Sequence, residues 1–204
     1  SPVVSCNPIH KIKVETVGPP FKGNEVKIAE DGEIMSQGPH VFSGYLYDKK
    51  STEEALDENN WLKTGDLGVL DSKGFLKITG RKKNLLITAG GENVAPEAIE
   101  QKLNTIPGVE HSVVVGDQKK YLSALLTLSD EAFEISKSLG SKTLSKEDLS
   151  TCQLFYEYLN TKIKTANEGL ARVQGIKKFV VLPKSFSVQS DELTPTMKVK
   201  RAKI

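Results

Sequence analysis

Cysteine is scarce in this sequence: 204 residues hold two, Cys6 and Cys152. Two cannot build a disulfide framework, so a reducing, cytoplasmic setting is the expectation. Histidine occurs three times, and His10, His40 and His111 are too scattered to support a histidine-centred mechanism. No apolar run approaches the ~20 residues of a membrane-spanning helix. Charge of one sign is lacking too. The 28 Lys and Arg face 26 Asp and Glu, a net of +2, too balanced to announce nucleic acid. The Walker P-loop, the glycine fingerprint of dinucleotide folds, paired-cysteine zinc spacing and the HExxH motif are all missing.

What is present describes an ordinary folded chain. Apolar residues make up 38% and charged residues 26%, which excludes disordered and collagen-like polymers. A chain this long buries roughly 70% of the surface its unfolded form exposes, and needs no disulfide or metal to hold it. The expectation is a soluble globular protein of one or two units. The basic excess is local: Lys198, Lys200, Arg201 and Lys203 crowd the C-terminus.

Patterning divides the chain in two. Up to about residue 80 it reads as β-rich. Glu25 to Ala29 alternates polar and apolar, Asp31-Gly32 turns, and Glu33-Ile34-Met35 returns, a hairpin signal. Ser51-Thr52-Glu53-Glu54 predicts a capping box opening a short helix that Asn59-Asn60 ends. Gly68-Val69-Leu70 and Phe75 to Thr79 read as strands around Asp71-Ser72-Lys73-Gly74. Gly80-Arg81-Lys82-Lys83 breaks the pattern, and mixed α and β follows. Leu85-Leu86-Ile87 predicts a short strand. Pro96 stands at a first helical position, with Ile99, Leu103 and Ile106 as the apolar stripe. Ser112–Gly116, Tyr121–Leu128 and Ile176–Leu182 predict strands. Asp130 predicts a helix cap, residues 141–151 a loop, and Leu154, Tyr158, Leu159 and Ile163 one face of a longer helix. Everything from Pro183 onward predicts irregular structure.

Three segments could carry chemistry. In Thr64-Gly65-Asp66 the glycine permits a tight bend and leaves the carboxylate free. A carboxylate only accepts hydrogen bonds and so suits the two hydroxyls of a ribose, although a plain turn aspartate reads the same way. Arg81 offers a rigid fork of donors, and Gly90-Gly91 allows a thin ligand close to the backbone. A tight hairpin with solvated lysines is the plainer reading of that second segment. The third runs from Leu193 to Arg201 and holds Lys198 ahead of a basic tail, where four positive charges could serve solubility, a membrane surface or nucleic acid.

Taken in order, these segments resemble the C-terminal portion of the acyl-adenylate-forming enzymes: acyl-CoA synthetases, luciferases and peptide-synthetase adenylation domains. Gly38-Pro39 followed by Val41-Phe42-Ser43-Gly44-Tyr45 is similar to the family's GPxVxxGY segment. Trp61 to Asp66 resembles its GWxxTGD segment, with Asn60 where glycine is usual. Gly80 to Glu100 resembles GRxK…GxNxxPxxIE, and Lys198 the near-terminal lysine. Nine residues separate Arg81 from Gly91, a spacing like that of long-chain fatty acid–CoA ligases, including the bubblegum type.

The resemblance implies an α+β fold: residues 1–80 are a β-rich remnant of a large AMP-binding domain, 81–83 a hinge, and 84–204 a small mobile domain, an antiparallel sheet with helices packed on it. It implies a two-step reaction in which a fatty carboxylate and ATP give acyl-AMP and pyrophosphate, and coenzyme A then displaces AMP. Asp66 and Arg81 would hold the ribose, Lys198 would assist catalysis, Gly90 and Gly91 would line the CoA channel, and Lys83 would be the hinge. ATP, CoA and Mg2+ would be bound mainly by a preceding part of the enzyme, with no metal ligand in these residues. Ser1-Pro2 reads like the residues just after the family's YGxTE motif. The chain is therefore expected to be a fragment, inert alone. The partners implied are small molecules and not nucleic acid, in the cytoplasm, with peripheral attachment to a membrane as a second option. Met197 departs from the glycine common before the lysine. Two other readings stand beside this one: an acyl-AMP ligase that loads a carrier protein, though the insertion such ligases often carry near the hinge is not visible, and a basic module that binds membrane or nucleic acid.

Overall fold

The alternation around Asp31-Gly32 folds into a hairpin. Strands β1 (Glu25–Ile28) and β2 (Glu33–Gln37) pair antiparallel, Ile28 opposite Ile34, in the computed structural model, which describes residues 3–141 and 145–204. Helix α1 (Lys49–Ala55) follows. It begins before the predicted Ser51 cap, because the Asp48 carboxylate accepts from the Ser51 backbone N–H at 2.9 Å and ends the chain of orphan donors there. It also stops at Ala55, well before Asn59. Strands β3 (Leu62–Leu70) and β4 (Leu76–Arg81) complete an antiparallel sheet in the order β1-β2-β3-β4. Both outrun their predicted limits: β3 takes in Thr64-Gly65-Asp66, and β4 reaches Arg81. The break begins only at the 3₁₀ turn Lys82–Asn84. Ile34, Met35, Leu67, Phe75 and Leu76 are buried on this sheet. Residues up to Leu85 form one compact unit, and those from Leu86 a second.

The second unit opens with a two-stranded ribbon, β5 (Leu86–Ile87) and β6 (Asn93–Val94). Helix α2 (Pro96–Leu103) starts at Pro96 as expected and buries Ile99 and Leu103. Strands β7 (Val109–Val115) and β8 (Leu122–Leu128) pair antiparallel. Helices α3 (Glu131–Ser138), α4 (Lys146–Thr151) and α5 (Gln153–Asn167) come next, and β9 (Ile176–Val181) closes the sheet in the order β7-β8-β9. The sheet is antiparallel except for its last pair. β9 runs parallel to β8 because the helices between them carry the chain back to the starting end.

Three expectations change here. The predicted loop 141–151 contains α4, whose capping box is complete: the Ser145 hydroxyl accepts from the Asp148 N–H, and the Asp148 carboxylate accepts from the Ser145 N–H. Residues 142–144 of that prediction lie outside the described residues. In α5 the buried face is Phe155, Leu159 and Ile163, while Leu154 is 46% exposed. The segment after Pro183 is not wholly irregular, since Leu193 and Val199 form an antiparallel bridge.

Candidate functional site

In the first unit, Asp66 and Arg81 stand opposite one another in the β3–β4 register. Arg81 Nε lies 2.7 Å from Asp66 Oδ1, with Asp66 about a quarter and Arg81 about half exposed. Each residue of Thr64-Gly65-Asp66 has its own task. The Thr64 hydroxyl donates to the Ile34 carbonyl at 2.7 Å and accepts from the Asp66 N–H at 3.1 Å. Gly65 adopts φ +73°, where a side chain would be strained even though the space beside it is open. Asp66 is then presented partly exposed, with Arg81 on its Oδ1.

Sequence reasoning missed Glu33. Its buried carboxylate accepts from the Gly65 N–H at 2.9 Å and pairs with Lys82 Nζ at 2.8 Å. Lys82 also holds Asp31 at 2.6 Å. Those bonds, Asp31 first and Glu33 second, push the Lys82 ammonium above its ordinary range and keep it charged. The same contact with Lys82 lowers the Asp31 carboxyl. Glu33 thereby ties the bend that aims Asp66 to the residue following Arg81. The sequence signal was weak, since an acid after an Asp-Gly turn reads as solvent-facing. Lys83, next in line, is exposed within the 3₁₀ turn, which the Leu85 N–H closes onto the Lys82 carbonyl at 3.3 Å.

In the second unit, Gly90 and Gly91 form the exposed turn between β5 and β6. Gly91 takes φ +79° and donates its N–H to the Thr88 carbonyl at 2.9 Å; the Thr88 hydroxyl accepts from the Glu92 N–H at 3.2 Å. The loop is braced from beside: Ala89 N–H donates to the Lys119 carbonyl at 2.9 Å, and Ile87 N–H to the Asp117 carboxylate at 2.9 Å. A depression of about 440 Å³ opens along Asp117, Lys119, Lys120 and Tyr121.

Lys198 sits at the end of a short hairpin. The Thr194 N–H donates to the Lys198 carbonyl, the Lys200 N–H to the Glu192 carbonyl, and the Met197 N–H closes a turn onto the Thr194 carbonyl, at 2.7–2.8 Å. Pro195 occupies the second position of that turn, which its fixed φ suits. Met197 takes φ +62°, the residue that re-aligns a three-residue hairpin loop and is usually glycine. Lys198 is exposed, and among the described residues its ammonium has no acidic partner. Its basic neighbours differ: Lys200 and Lys203 pair with Asp191, and Arg201 with Glu100.

Among the described residues no group of three or more His, Cys, Asp or Glu is arranged to hold a metal ion, and no helix is long and apolar enough to cross a membrane. A family model described as the AMP-binding enzyme C-terminal domain matches residues 83–204. The chain is 45% identical over 200 residues to a Mycobacterium tuberculosis protein named long-chain-fatty-acid–CoA ligase FadD15, covering 97% of this chain and 33% of that protein. It is 43% identical to the mouse long-chain-fatty-acid–CoA ligase ACSBG2, over 85% of this chain and 29% of that one. Among solved structures, the O-succinylbenzoate coenzyme A synthetase of Bacillus subtilis in complex with AMP is similar at a TM-score of 0.66 and 31% identity, covering 93% of this chain and 35% of the other. The chain spans about a third of the length of the curated relatives it matches.

Proposed function

The chain belongs to the family of AMP-binding enzyme C-terminal domains, and from that premise we propose that the polypeptide carrying it is a long-chain fatty acid–CoA ligase. The names of its relatives support that substrate class, and the AMP in a similar structure supports a nucleotide. In the first step a fatty carboxylate oxygen bonds to the α-phosphorus of ATP and pyrophosphate leaves. In the second the CoA thiol sulfur bonds to the acyl carbon and AMP leaves, the thiol proton going to solvent. Magnesium enters with ATP as part of the nucleotide substrate, and its binding is assigned outside these residues.

The observation that carries the reading is the ammonium of Lys198, without an acidic partner among the described residues and held on an ordered turn, while the basic residues around it are paired with acids. In the reaction it lies against the acyl oxygen and α-phosphate, where negative charge grows in the transition state. An interaction made mainly there raises turnover more than it tightens substrate binding. Asp66 accepts from the ribose hydroxyls, with Arg81 beside it on Oδ1. The turn of Gly90 and Gly91 borders the pantetheine arm of CoA. Residues 81–83 act as a hinge at Lys83 between the end of the large domain and a mobile small domain, and the enzyme works in the cytoplasm or at a membrane surface. A basic surface module has less support, because three of the four terminal cations already have acidic partners. The test is ATP–pyrophosphate exchange by the complete polypeptide. Exchange should depend on long-chain fatty acid; exchange indifferent to fatty acid would reject the substrate class.

A further inference from the structure

The two backbone polar groups of Val114 are buried on strand β7, at the edge of its sheet. An edge strand leaves such groups without a neighbouring strand, and a buried unpaired amide is costly. Here two side chains take the place of the missing strand. Glu100, from α2, accepts the Val114 N–H on Oε1 at 2.6 Å. Arg201, from the C-terminal segment, donates Nη1 to the Val114 carbonyl at 2.6 Å and Nη2 to the same Glu100 oxygen. Glu100 is largely buried, and desolvation is the main influence pushing its carboxyl above the ordinary value, against the opposing pull of Val114 and Arg201. A carboxylate placed there needs its cation.

The link is long in sequence, 101 residues from Glu100 to Arg201, and short in effect. Arg201 follows Lys198 by three residues, and the hairpin that carries Lys198 is otherwise held by Leu193, packed with Val113 and Phe186, and by Asp191, which pairs with Lys200. We infer that Arg201 and Glu100 are positioning residues for Lys198: by clamping the hairpin to the edge of β7 that has no neighbouring strand they fix where its ammonium is delivered. This inference rests on the ligase reading, and it reassigns a basic residue that would otherwise serve only solubility. The guanidinium is suited to the task because its planar fork reaches a carbonyl and a carboxylate together, which an ammonium does less well.

The experiment uses the complete polypeptide with Lys198→Ala, Arg201→Met, Arg201→Lys and Glu100→Gln, each first checked for a cooperative thermal transition. Acyl-AMP formation and acyl transfer from supplied acyl-AMP to CoA are measured separately. Loosening the anchor of a reacting group by about 1 Å costs roughly 10- to 100-fold. Arg201→Met should therefore lower kcat for acyl-AMP formation by that much, with KM for ATP and fatty acid within about twofold and acyl transfer unchanged. Arg201→Lys should recover part of the loss, and Glu100→Gln should mimic it more weakly. Glu100→Gln also covers the case in which Arg201→Met does not fold, since it keeps an acceptor for Val114. Adenylation at the parental rate in Arg201→Met or Glu100→Gln, while Lys198→Ala is impaired, overturns the positioning role alone, as does equal loss of both half-reactions. A fully active Lys198→Ala instead overturns the ligase mechanism on which the inference stands.

Discussion

Met197 holds a left-handed backbone conformation directly before the residue assigned to the chemistry, at φ +62°. A side chain in that region costs about 1 kcal/mol that glycine does not incur. Met197 is more than half exposed, so little packing is lost on its removal. Met197→Gly should raise the unfolding free energy of the second unit by up to ~1 kcal/mol, read as a rise of up to roughly 3–6 °C in its Tm; a fall in Tm would show that the methionine side chain makes a contribution beyond its backbone. At this same scale the site was half legible. Asp66, Arg81 and Lys198 each read locally as a turn acid, a hairpin base and a solubility lysine, and were singled out only by the order of segments that resembles a family. Glu33, Glu100 and Arg201 were not, because a charged residue in an alternating strand, an amphipathic helix or a basic tail reads as solvated. Their partners lie 49 residues away for Glu33 and 101 for Glu100, and no local pattern announces that.

Elements were legible where one signal acted alone. Pro96 fixed the start of α2, since its missing N–H is an orphan there in any case. The β1–β2 hairpin followed from alternation around Asp31-Gly32. Boundaries slipped where two signals competed. At Asp48 and Ser51 two side chains of capping type lie three residues apart, and the earlier one captured the N–H of the later. At Ser145 and Asp148 a true capping box lies in a polar stretch that hid the short helix α4, which buries only Leu149. In α5 the predicted Leu159 and Ile163 are buried, and only the first position of the stripe moved. Leu154 and Phe155 are both apolar, and the larger ring went into the core, where it stacks on Tyr158 with centroids 5.7 Å apart. The parallel pairing of β9 with β8 depends on the length and helical content of the connection and not on the strand's own residues.

For the molecule as a whole, the chain divides into two compact units between Leu85 and Leu86, and the proposed hinge at Lys83 lies close to that boundary. The turn there has Lys83 at its second position, bracketed by the Leu85 to Lys82 hydrogen bond, a place where proline's fixed φ is accepted and no donor is lost. Lys83→Pro should therefore leave folding intact while removing the freedom a rigid-body rotation needs. In the complete polypeptide acyl-AMP formation should persist and acyl transfer to CoA should fail; equal loss of both steps would argue against a hinge at Lys83.

The central claim is that the ammonium of Lys198, without an acidic partner among the described residues, acts on the charge that develops when the acyl-adenylate forms. Single-turnover acyl-AMP formation by Lys198→Ala in the complete polypeptide, with acyl transfer from supplied acyl-AMP measured alongside, addresses it most directly. The account predicts a rate of acyl-AMP formation lower by about 10²–10³-fold, the size of losing one preorganised electrostatic donor, with acyl transfer retained. Formation of acyl-AMP at the parental rate would contradict it.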